Sequence, residues 1–181
     1  MERTHDRLSI RVVPSHSLSD AERNAILALC NRAYGEDLGV LFDTFVGATH
    51  VLGYAQGRLV SHALWVTRYL QVGAGPLLRT AYVELVATDP ACRGRGFAST
   101  VLRRLALEIQ DFDLAALSPS EPAFYARLGW ELWRGPLFIR IESGLLPSPA
   151  EEQVMILRLP KTPPLDLGAP LSAEWREGEL W

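Results

Sequence analysis

Residues 80–109, TAYVELVATDPACRGRGFASTVLRRLALEI, decide the fold. They open on a nearly unbroken apolar run from Ala81 to Ala87, the pattern of a strand buried on both faces. Glu84 is the one acid inside it. Asp89-Pro90 ends the strand, because proline has no ladder donor and restricts the residue before it. Arg93-Gly94-Arg95-Gly96-Phe97-Ala98 follows and leads directly into a helix. Phe97, Val101, Leu105, Ile109 and Phe112 recur every three or four residues and mark its buried stripe.

A strand, a small-residue turn and a helix N-terminus together form an anion site, since the first helical N–H groups lack intrahelical partners and the dipole favours negative charge. Gly94 and Gly96 let the backbone approach a ligand, Arg93 and Arg95 add charge, and a pyrophosphate suits the result. The spacing is neither a Walker loop nor the dinucleotide G-x-G-x-x-G, because Ser99 stands where a third glycine belongs.

Outward from this stretch, 181 residues with 48% hydrophobic and 22% charged side chains suit one well-cored soluble domain. No apolar run reaches the length of a membrane span, and charged residues follow Met1 where a signal core would lie. Cys30 and Cys92 give no disulfide framework and no metal-ligand spacing. A net charge of −3 argues against nucleic acid. The expectation is a cytoplasmic protein without nucleic-acid, membrane or metal partners.

Before the central stretch, residues 8–13 read as a strand stopped by Pro14. Ser19-Asp20-Ala21-Glu22 is a capping box that starts a helix ending near Tyr34-Gly35. A shorter helical segment is expected over 41–46. Residues 50–54 and 59–69 form a hairpin around Gln56-Gly57. After the central helix come a buried strand at 114–117, a short helix at 121–128 closed by Gly129, and strand material at 130–133, 137–141 and 154–159. The proline-rich tail from Pro160 reads as irregular.

Arg93-Gly94-Arg95-Gly96-Phe97-Ala98, between strand and helix, resembles the [RQ]-x-x-G-x-[GA] signature of the GNAT superfamily of acyl-CoA N-acyltransferases. The resemblance implies an α/β GNAT fold, a mixed central sheet flanked by helices in a single domain spanning 1–181. It also implies acetyl-CoA as co-substrate, held by Val86, Thr88, Arg93, Gly94, Arg95, Gly96, Phe97, Ala98 and Tyr125. Acyl transfer to an amine needs a base, a polarised thioester carbonyl and a proton for the leaving thiolate. Glu84, in an apolar strand that raises its pKa, is the candidate base; the competing reading is a buried glutamate paired with an arginine. By position in the family, the Val86 N–H faces the thioester oxygen. Tyr125 lies in FYARLGW, which resembles the family's F-Y-x-x-x-G-[FW], and is the candidate acid.

The ending EWREGELW resembles the W-R-x-G-[DE]-x-W of aminoglycoside 2′-N-acetyltransferases, as do Tyr82-Val83-Glu84 and Leu117-Ser118. That narrower likeness implies an acidic, aromatic-walled pocket for a polycationic sugar. Its expected residues are Asp37, Glu84, Ser118, Glu152, Glu179 and Trp181, with Glu151 the alternative to Glu152. A carboxylate on Trp181 would contact substrate and is the alternative base. Leu85, Pro119 and Glu121-Pro122 depart from that pattern. The competing functions are a GNAT enzyme for another polyamine, amino sugar or peptide amine, and a non-catalytic acyl-CoA-binding module. A homodimer is the expected assembly.

Overall fold

The computed structural model describes residues 8–181. They fall into two compact units, one made of residues up to 65 with 85–107, the other of 66–84 with 108–181.

In the first unit, β1 (Ser9–Pro14) pairs antiparallel with β2 (Thr49–Ala55), which pairs antiparallel with the start of β3 (Arg58–Val72). Helix α1 (Asp20–Tyr34) begins at the expected capping box: Ser19 Oγ accepts from the Glu22 N–H, and the Glu22 carboxylate accepts from the Ser19 N–H. Helix α2 covers Gly39–Thr44, starting two residues before its expected place. The reason is local capping: Asp37 Oδ1 accepts from the Gly39 N–H at 2.9 Å, and Asn31 Oδ1 from the Leu38 N–H at 2.9 Å. Strand β4 (Leu77–Thr88), whose residues up to Glu84 belong to the second unit, is buried without interruption from Thr80 to Val83 and then alternates. Helix α3 (Phe97–Glu108) buries Phe97, Val101, Leu102 and Leu105. It stops short of Ile109 and Phe112, which are buried in the following turn rather than on the helix.

The second unit holds a sheet of order β6-β9-β5-β4-β3-β10-β7-β8. Its strands beyond β4 are β5 (Leu114–Leu117), β6 (Glu131–Leu132), β7 (Leu137–Ile141), β8 (Gly144–Pro147), β9 (Met155–Arg158) and β10 (Leu171–Glu174). β4 pairs with β5 in parallel, from Thr80 opposite Leu114 to Tyr82 opposite Ala116. Helix α4 is shorter than expected, Pro122–Ala126, with Pro122 in its first turn.

The tail corrects the sequence reading most. It is not irregular throughout: β10 lies between β3 and β7, antiparallel to one and parallel to the other. Leu171, Ser172 and Ala173 are buried, but three residues behind Pro170 carry too little periodicity to announce a strand. β8 was also unannounced. It is an exposed edge strand closed by Pro147, where proline loses no ladder bond.

Candidate active site

The anion turn is built from backbone. β4 ends at Thr88, whose Oγ1 lies 2.9 Å from Ser61 Oγ. Asp89 Oδ1 accepts from the Ala91 N–H at 3.0 Å and starts a 3₁₀ turn over Pro90–Cys92. That backbone bond, with Arg32 and Arg58 at 3.2 and 3.5 Å, holds the Asp89 carboxyl below the usual range. Gly94 and Gly96 then sit at φ +76° and +78°, left-handed backbone that side chains with a Cβ resist. A Cβ at either position would meet no described atom within 4 Å, so the glycines are required by conformation, and the space beside them is open to a ligand. Helix α3 starts immediately after, at Phe97, with Ala98 in its first turn. The Arg93 side chain turns back to the α1 terminus, donating to the Ala33 carbonyl at 2.9 Å. The Arg95 guanidinium lies 5.9 Å from the Phe97 ring centroid.

Just before this turn, Leu85 has φ +47°. A branched residue with positive φ is an outlier that its surroundings must hold. Two hydrogen bonds do so: Leu85 C=O accepts from His62 Nδ1 at 2.9 Å, and Val86 C=O accepts from the Tyr34 hydroxyl at 3.2 Å. A carbonyl can only accept, so Nδ1 of His62 carries the proton. His62 Nε2 then accepts from His50 Nδ1 at 3.0 Å, and His50 Nε2 from the Ser15 hydroxyl at 2.9 Å. Burial pushes both histidines down, His62 to about 3 and His50 to about 4, so both rings are neutral. The departure at Leu85 is thus a backbone feature. It leaves no trace in residue types.

The acidic side is built from side chains. The Glu84 side chain is 10% exposed and forms an ion pair with Arg176. Burial pushes its pKa up to about 7; Arg176 pulls against the shift and Glu179 adds to it. Glu84 therefore has both a carboxyl raised by burial and an arginine partner. Arg176 is the residue that sequence reasoning missed, although it stands inside the quoted WRxG ending. Tyr125 is buried, edge-to-face with Phe124 and Trp130 at 5.1 and 6.1 Å. Burial, with Glu121 nearby, raises its hydroxyl to about 12 and keeps it protonated.

A cavity of about 450 Å³ is lined by residues including Ser118, Ser148, Glu152, Glu179, Leu180 and Trp181. Ser118 Oγ donates to Glu152 Oε1 at 3.0 Å, which selects Glu152 over Glu151 as the acid beside the serine. Trp181, 4% exposed, donates from Nε1 to Ser148 Oγ at 2.7 Å. So four of the expected acceptor residues come together. Asp37 belongs to the first unit, where its carboxylate caps α2.

A sheet of this order, carrying a buried acid in β4 and a glycine turn before α3, defines an N-acyltransferase fold. Residues 15–133 match the family described as "Acetyltransferase (GNAT) domain", and the chain belongs to that family. It is 29% identical over 178 residues to an aminoglycoside 2′-N-acetyltransferase of Mycolicibacterium fortuitum, covering 94% of this chain and 91% of that protein. Among solved structures, it resembles the Escherichia coli GNAT family N-acetyltransferase YhbS in complex with CoA. That likeness has a TM-score of 0.65 and 19% identity over 94% of this chain and 91% of the other. Escherichia coli ElaA aligns with a TM-score of 0.58 and 15% identity over 84% and 100%.

Proposed function

We propose that this chain transfers an acetyl group from acetyl-CoA to the 2′-amine of an aminoglycoside. The observation that carries the substrate assignment is the cavity, which gathers Ser118, Glu152, Glu179 and Trp181 from distant parts of the sequence. Much of that wall lies beyond residue 133, outside the matched family domain. A polycation covered in hydroxyls suits carboxylates beside a serine and an indole. The name of the Mycolicibacterium relative agrees with this reading.

The donor's pyrophosphate would be held by the 93–98 turn. The open left-handed glycines and the α3 N-terminus fit an anion there. When bound, acetyl-CoA supplies a thioester whose carbonyl carbon accepts the amine. Glu84, with a pKa of about 7, takes the ammonium proton through water, so the amine attacks as a neutral nucleophile. The Val86 N–H, fixed by the strained Leu85, polarises the thioester oxygen. As the C–N bond forms and the C–S bond breaks, the phenol of Tyr125 protonates the sulfur, and the second proton shed by the nitrogen on becoming an amide returns to the Tyr125 oxygen. Thr88 completes the donor side.

Turnover against paired aminoglycosides with and without a 2′-amine tests the assignment. Acetylation only of the 2′-amino compounds is expected. Equal use of both, or of neither, would return the acceptor to another amine.

A further inference from the structure

Arg68 is charged, sits in the apolar run of β3, and is 1% exposed. An arginine so deeply buried carries a desolvation penalty that partners must offset. Its guanidinium donates from Nη1 to the Leu180 carbonyl and from Nη2 to the Glu174 carbonyl, each at 2.7 Å. The Glu174 carboxylate is 3.6 Å from Nε, and the Tyr82 ring lies 4.8 Å from the guanidinium carbon. One guanidinium therefore closes the segment from Glu174 to Leu180 into a loop, and Gly178, at φ +83°, permits the reversal. Inside that loop Arg176 donates to the Glu179 carbonyl, lies 5.2 Å from the same Tyr82 ring, and meets Glu84. β10 ends at Glu174, so the clamp begins where sheet pairing stops.

We propose that Arg68 is a positioning residue for the acceptor site. By holding both ends of the 174–180 loop it sets Arg176 on Glu84 and places Glu179 and Trp181 on the cavity wall. It touches no reacting atom and acts through the loop. The inference rests on the acceptor reading above but makes a claim about the loop that can be measured without any substrate.

Two measurements test it on the full chain, using Arg68→Gln and the charge-retaining Arg68→Lys. Amide hydrogen exchange of residues 175–181 should accelerate more than ten-fold in Arg68→Gln and less in Arg68→Lys, with the 93–98 turn unchanged. The apparent Michaelis constant for the aminoglycoside should rise roughly tens-fold, as expected for lost charge-assisted contacts, with that for acetyl-CoA unaltered. In a chain ended at Gly178, adding Arg68→Gln should raise the acceptor's Michaelis constant no further, because Glu179 and Trp181, through which Arg68 acts on that constant, are already gone. Unchanged exchange at 175–181, or effects that multiply in the double variant, would overturn the proposal. If the wild type acetylates no aminoglycoside, the acceptor reading fails while the exchange result still decides the tether. If Arg68→Gln does not fold, Arg68→Lys carries both readouts, and wild-type behaviour there is an overturning result.

Discussion

Residues 88–98 make their site from backbone within eleven positions of sequence, whereas the acidic cavity makes its own from side chains spread between Ser118 and Trp181. At the turn, what matters is where N–H groups point, set by Asp89, two left-handed glycines and the start of α3. At the cavity, what matters is which carboxylates line it and what holds them there, set by Arg68, Arg176 and Ser118. A backbone site tolerates changes of surface charge but not of φ. A side-chain site tolerates backbone adjustment but not loss of a partner. The two should therefore fail independently.

The largest separation should come at Glu84. Glu84→Gln keeps the shape but cannot take a proton, so turnover should fall by about 10²-fold or more. In the wild type kcat/KM should decline as pH falls through about 7, where the carboxyl protonates, and this limb should vanish in the variant. Donor binding should be untouched. A variant with the same limb would put the base elsewhere.

Next in size is the tail. Ending the chain at Gly178 removes Glu179 and Trp181, and one charge-assisted contact is worth ~1.5–3 kcal/mol. The acceptor's Michaelis constant should rise by tens-fold, and added salt should weaken wild-type binding in the same direction. Equal kinetics for both chains would remove the cavity from the mechanism. Gly96→Val is the reciprocal test. Forcing a branched residue to φ +78° costs ~1–3 kcal/mol, so CoA affinity should drop on the order of ten-fold while acceptor binding stays level. The loss would come from the backbone, since a Cβ there meets no described atom.

The same contrast explains what could be read from sequence. The turn is legible because Asp-Pro, Gly-x-Gly and an amphipathic stripe are local signals with local causes. The capping box at Ser19 was legible for the same reason. Glu84 could be singled out because one acid in an apolar run is conspicuous, and Arg68 carries the same mark in β3. Its partners, the carbonyls of Glu174 and Leu180, lie more than a hundred residues away and have no residue-type signature. β10 was hidden because pairing with β3 and β7, rather than its own propensity, makes it a strand. The positive φ of Leu85 was invisible for a third reason: the residue type argues against it, and bonds from the distant His62 and Tyr34 hold it.

Arg176→Gln sharpens the comparison from the acidic side, with a smaller effect. Arg176 lowers the Glu84 pKa against the burial that raises it. Removing the positive charge should move the acidic limb of kcat/KM to higher pH, leaving CoA affinity and the 93–98 turn alone. A limb that stays in place would mean that the pair seen here does not persist during turnover.

The smallest expected effect lies beside the donor turn, in the buried histidines. Their folded pKa values, about 3 and 4, are depressed below the ordinary value near 6.5. Each therefore contributes stability that is present above pH 6.5 and is lost as pH falls towards 4, because the unfolded chain takes up protons that the folded one resists. Each such group adds at most ~1.4 kcal/mol per pH unit to the slope. His50→Gln removes one of them and leaves His62 free to keep its bond to the Leu85 carbonyl. Thermal melts between pH 4 and 7 should show a shallower decline in the variant than in the wild type. Turnover should fall only a few-fold, with the acceptor's Michaelis constant unchanged, since the effect reaches the reaction only through Val86. Parallel melting profiles would show that the histidine chain does not stay neutral. A raised acceptor Michaelis constant would break the independence of the two sites from the donor side.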